Sequence, residues 1–66
     1  MKLTVNGEPH EHQGDGKLPS LLKEIDTNPK HVSIMINEAI IQHTSYNSVT
    51  LSEGDRVEIL TFVGGG

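Results

Sequence analysis

The chain has no cysteine and no tryptophan, a single tyrosine and a single phenylalanine, and five basic residues against nine acidic ones. Each shortage closes off a class of function. Without cysteine there are no disulfide frameworks, no thiolate zinc sites and no thiol nucleophiles. A secreted domain of 66 residues ordinarily needs disulfides, so the cytoplasm is the expected compartment. No charged-then-apolar leader opens the chain, and no stretch approaches the ~20 apolar residues of a membrane span, so no membrane role is expected. A formal net charge of −4 argues against nucleic acid, whose binders displace counterions with a basic face, and favours a partner with a basic docking surface. One third of the residues are hydrophobic. A chain of this length buries only about 60% of its unfolded surface, so the core is minimal and little remains to line a deep pocket. A self-contained enzyme is not expected.

What is present reads as strands around one helix. Met1, Leu3 and Val5 alternate with Lys2 and Thr4, a half-buried strand. Asn6-Gly7 follows, a pair suited to a tight hairpin because both positions accept positive φ. The return strand, about residues 8–13, is polar and holds Pro9, which cannot donate to a ladder; it is therefore an edge strand. From Leu18 the period changes. Leu18, Leu21, Leu22 and Ile25 form one apolar stripe of a short helix, with Pro19 tolerated in its first turn and Asp26 to Pro29 ending it. Two turns of helix are stable only when packed on a sheet. Val32, Ile34 and Ile36 alternate with Ser33 and Met35 in a third strand, and Asn37-Glu38 turns the chain into Ala39-Ile40-Ile41. Residues 43–48 read as an irregular or single-turn connection over Tyr46, and Val49 and Leu51 return to the core. After the turn Glu53-Gly54-Asp55, residues 56–63 form the last strand. The class is α+β: a mixed sheet of four to five strands with one helix across one face, the first and last strands paired in parallel as in a β-grasp. One domain over residues 1–63 and a glycine tail over 64–66 account for the whole chain.

On the last strand Val57 and Ile59 are assigned inward because the opposite face opens with Glu58. Leu60 and Phe62 then face the side no helix covers, and Met35 faces the same way from the third strand. A cluster of three exposed apolar residues marks a docking site for a partner, the alternative being leftover apolar surface. Gly64, Gly65 and Gly66 close the sequence. Glycine loses the most backbone entropy on ordering, so a fold gains nothing from three in a row. From the glycines alone two readings stand: a frayed end, or a backbone without Cβ that passes through a narrow cleft and carries its carboxylate to a reactive centre. That carboxylate is a poor acyl donor until another enzyme activates it.

With these features in order, the sequence resembles the ubiquitin-like sulfur carriers, above all the thiamine-biosynthesis (ThiS) family. The resemblance spans the chain. It rests on the opening strand into Asn6-Gly7, Leu21-Leu22, Asn37, the turn Glu53-Gly54-Asp55, and the ending Val57-Glu58-Ile59 to Phe62-Val63-Gly64-Gly65-Gly66. It departs from the family in Pro19 at the helix start and in two histidines between Pro9 and Gln13. The resemblance implies that an ATP-dependent adenylyltransferase activates the Gly66 carboxylate. A cysteine desulfurase or sulfurtransferase then supplies sulfur to give a thiocarboxylate, and thiazole synthase takes that sulfur. Gly64, Gly65 and Gly66 would be threaded into the partners, with Met35, Leu60, Phe62 and Val63 docking. Mg-ATP belongs to the activating partner, the carrier binds no cofactor, and the free protein is expected to be a monomer. Rival readings are a carrier for molybdopterin, tRNA thiolation or amino-acid synthesis, or a modifier conjugated through Gly66.

Other groups read as surface. His10 and His12, two apart on an edge strand, point the same way and could hold zinc, but exposed histidines guarding an edge are the simpler reading. His31 and His43 read as loop surface, and the carboxylates, Glu24 among them, as a solvated shell without an acid–base pair. No catalytic or metal-ligating residue is assigned.

Overall fold

The computed structural model of the protein describes residues 1–61, so Phe62, Val63 and the three terminal glycines lie outside the described residues. Five strands and one α-helix follow in the expected order. Strand β1 (Lys2–Val5) turns through Asn6-Gly7 into β2 (Glu8–Glu11), and helix α1 (Leu18–Glu24) crosses to β3 (Val32–Ile36). A second hairpin leads to β4 (Ala39–Ile41), a 3-10 segment spans His43–Ser48, and β5 (Arg56–Thr61) completes the sheet. The sheet order is β2-β1-β5-β3-β4, with β1 and β5 parallel and every other pair antiparallel. The two strands furthest apart in sequence thus sit side by side at the centre, and Pro9 lies on an outer strand as its missing donor requires.

Both hairpins turn through positive φ at their two central residues. Asn6 and Gly7 have φ 50 and 82, and Asn37 and Glu38 have φ 51 and 72. This is the primed-turn geometry that matches strand twist, and asparagine tolerates it better than most side chains. Glu38 is the costlier occupant, a non-glycine residue without asparagine's local hydrogen bonding.

The helix is one residue shorter than its stripe suggests, with Ile25 as its C-cap and Asp26 at φ 55. No side chain of Lys17 caps its start. Instead Asp15 accepts from the Lys17 N–H at 3.0 Å and from the Ser20 hydroxyl at 2.6 Å. Those hydrogen bonds, Ser20 first, hold the Asp15 carboxyl below its usual range. Leu18, Leu21 and Leu22 are buried and pack with Leu3, Val32, Ile34, Leu51, Val57 and Ile59 in one core between helix and sheet. Tyr46 closes its end, its hydroxyl donating to the Val32 carbonyl at 3.2 Å.

His10 and His12 face the same way, as expected, but His12 is not surface. Strand β2 stops at Glu11, the His12 N–H still donates to the Met1 carbonyl at 2.8 Å, and its side chain is a buried polar group at 3% exposure. Its Nε2 accepts from the Gly16 N–H at 2.9 Å, so the ring proton sits on Nδ1, which donates to Glu24 at 2.9 Å. His10 Nε2 donates to the same carboxylate oxygen at 2.8 Å, and the Gln13 N–H reaches its other oxygen at 2.6 Å. Glu24 is therefore the hub that ties α1 to the β2–α1 loop. The bond to His10 first, then that to His12, pull its carboxyl down to about 2. With one His12 nitrogen accepting and the other protonated, no lone pair is left for a metal. Gly14 is needed there for room, since a Cβ would stand 2.8 Å from His12 Cε1.

Candidate functional site

The sheet has one face under the helix and one open face. Val57 and Ile34 are wholly buried and Ile59 nearly so, as the inward assignment required. Alternation along β5 then places Arg56, Glu58 and Leu60 on the open face. Register sets their neighbours. Met35 stands opposite Glu58 on one side and Ile40 on the other, while Leu60 stands opposite Ser33. Met35 is half-buried, and Leu60 is 60% exposed. The two are therefore diagonal neighbours, with Glu58 and Ser33 at the other corners of the square, and not a contiguous apolar block.

Ile40 was not singled out from the sequence, yet at 72% it is the most exposed large apolar side chain among the described residues. The signal was available. Once Asn37-Glu38 is a two-residue turn, Ile41 pairs with buried Ile34 and Ile40 must join Met35 on the other face. Among the described residues, the large apolar side chains of the open face are thus Met35, Ile40 and Leu60. Phe62 and Val63, expected to extend this surface, lie outside the described residues, as do Gly64, Gly65 and Gly66.

Charge frames the face. Arg56 reaches Glu38 at 3.4 Å, but both are exposed, so the pair contributes little to stability. Glu58 makes no ion pair among the described residues. A partner surface with a hydrophobic depression beside a basic group fits this arrangement. The His10, His12 and Glu24 cluster lies on the helix-covered side, in a different role from the open face.

A five-stranded mixed sheet with parallel central strands and a single helix across one face defines a ubiquitin-like β-grasp protein. The family model described as the ThiS family matches residues 3–66. The crystal structure of the thiamine biosynthesis protein ThiS from Geobacter metallireducens superposes with a TM-score of 0.82 at 32% identity, covering all of both chains. Proteins named thiazole synthase from Magnetococcus marinus and Paramagnetospirillum magneticum are 36% and 35% identical over all 66 residues. The chain spans only 20% of the length of each. The uncharacterized protein ycf40 of Pyropia yezoensis is 32% identical over 66 residues, which are matched by 93% of its length. The chain belongs to the ThiS family.

Proposed function

We propose that the protein is the sulfur carrier of thiazole formation in thiamine biosynthesis, with the carboxylate of Gly66 as its working group. The observation that carries this reading is a ThiS-family chain whose central strand β5 leads within five residues to Gly66. An adenylyltransferase joins the Gly66 carboxylate oxygen to the α-phosphorus of Mg-ATP and expels pyrophosphate. A cysteine desulfurase or sulfurtransferase supplies the sulfur as a persulfide, whose terminal sulfur displaces AMP to give an acyl disulfide. A thiol then cleaves that disulfide, leaving the thiocarboxylate and a new disulfide between the two thiols. Thiazole synthase consumes that sulfur and returns the carboxylate. The carrier contributes no acid, base or nucleophile other than its terminus.

Two further observations support the reading. Segments 36% and 35% identical to this chain are built into proteins named thiazole synthase, a reason to pair the carrier with that enzyme. The open face offers Met35, Ile40 and Leu60 for docking, and in sequence Phe62 and Val63 lie between this strand and Gly64, Gly65 and Gly66, the segment proposed to enter the partners. The test is ATP–pyrophosphate exchange with an adenylyltransferase from a ThiS-using thiamine pathway. The full chain should support exchange and the chain lacking Gly66 should not. No exchange with the full chain, from an enzyme active on its own carrier, contradicts the proposal.

A further inference from the structure

Strand β5 is held unequally along its two edges. On one edge β3 pairs with it through five register positions, from Val57 to Thr61. On the other edge β1 supplies only Thr4 opposite Arg56 and Val5 opposite Val57 before it ends. The Asn6 N–H still donates to the Val57 carbonyl at 2.9 Å. In a parallel ladder the next rung would run from the Ile59 N–H to the main-chain carbonyl of Asn6. Asn6 has left the strand at φ 50, and its side chain takes that rung: Oδ1 accepts from the Ile59 N–H at 2.7 Å. Beyond it the sheet gives way to an open groove of about 370 Å³ between the first hairpin and the end of β5, with Ile59 and Thr61 on its wall.

The second hairpin makes an internal comparison. Asn37, at φ 51, accepts from the Arg56 N–H at 2.9 Å through its own side-chain oxygen and donates to Asp55 at 3.0 Å. Two turn asparagines in the same backbone conformation thus hold the same strand, Asn37 at its entry and Asn6 toward its exit.

We infer that Asn6 is a positioning residue for the carrier terminus: its side-chain oxygen extends the β1–β5 ladder by one rung and holds that edge of β5 in place toward Thr61, the last described residue. The part that concerns activity rests on the carrier function proposed above. A strand end held on one edge only would have to be ordered by the partner each time it docks, a cost that appears in binding more than in chemistry.

The test uses Asn6→Gly, which keeps the positive φ and deletes the acceptor, Asn6→Asp, which keeps an acceptor, and Asn37→Gly as the matched loss at strand entry. In the free protein, Asn6→Gly should speed amide exchange at Ile59 and lower the backbone order parameters of Leu60 and Thr61, while Arg56 stays protected. Asn37→Gly should do the reverse. In pyrophosphate exchange, Asn6→Gly should raise KM by about two- to tenfold, the range of one net hydrogen bond, with kcat within about twofold. Asn6→Asp should restore KM, and Asn37→Gly should leave it unchanged. Wild-type exchange at Ile59 in Asn6→Gly, or an equal rise of KM in Asn37→Gly, overturns the inference. If Asn6→Gly does not fold, the through-hydrogen-bond coupling from the Ile59 nitrogen to the Asn6 side-chain carbonyl carbon in the wild type decides, and its absence overturns the inference. Absence of any wild-type pyrophosphate exchange would instead strike the carrier reading, with the exchange and order data still judging Asn6.

Discussion

The two faces of one sheet divide the labour of this small protein. Under the helix, Ile34, Val57 and the leucines of α1 are excluded from water, and their burial is most of what the fold has to live on. On the open face Met35, Ile40 and Leu60 leave apolar surface in water, which the fold does not need and a partner can use. At roughly 0.05–0.15 kcal/mol per residue a domain of this size has about 3–10 kcal/mol of stability in total. A change on the covered face therefore endangers folding, whereas a change on the open face would endanger the proposed docking.

Substitutions can break that comparison. The largest expected effect is Ile34→Ala, which removes a fully buried side chain from the sheet's centre at a cost of about 2–5 kcal/mol. Urea unfolding should show a midpoint lowered by a large fraction of its value, or no folded baseline. Next come Leu60→Asp and Ile40→Asp, each placing a charge where a partner would bury the site. Partner binding followed by calorimetry should be lost, while the unfolding free energy from urea titration falls by less than about 1 kcal/mol. Should these two unfold the protein as Ile34→Ala does, the division between faces fails.

A smaller effect belongs to the third region, the Glu24 hub. Its carboxyl is held at about 2 against an ordinary 4.5, so its folded-state pKa is depressed. The stability it contributes is present above about pH 4.5 and is lost as pH falls toward about 2. Glu24→Gln should lower Tm at pH 6, and the gap to the wild type should close as pH falls through that window. A gap that is constant with pH would assign the loss to packing alone. Smallest is Arg56→Ala, which breaks the exposed pair with Glu38 and should shift stability by less than about 1 kcal/mol.

Periodicity made the fold legible. Alternation in β1, β3 and β5, the leucine stripe of α1 and two asparagine turns leave few other arrangements, and Pro9 marked its strand as outer. Leu60 and Met35 were placed on the open face by counting in twos. Ile40 escaped because Ala39-Ile40-Ile41 is a run of three apolar residues, in which alternation is silent until pairing with β3 sets the register. His12 escaped for a related reason. Counting in twos put His10 and His12 on one side, as both bonds to Glu24 Oε1 show, but in a polar segment it could not say that this is the side beside the helix. Nothing local shows that Gly14 leaves room for an imidazole, or that Glu24, on a helix ten residues further on, has its carboxylate facing that ring. The Asn6 side chain reaches a residue 53 positions away, a contact that exists only once β1 and β5 lie side by side.

The central claim, that the terminus of a strand positioned between these two faces is a carrier for sulfur, can be weighed directly. The full chain is incubated with adenylyltransferase, Mg-ATP, a cysteine desulfurase with cysteine and an excess of a thiol reductant, and its intact mass is recorded. The expected result is a shift equal to one oxygen replaced by one sulfur, located in the C-terminal fragment that ends at Gly66 and reversed by thiazole synthase with its substrates. An unchanged mass, or covalent adducts with other proteins in place of that shift, would contradict it.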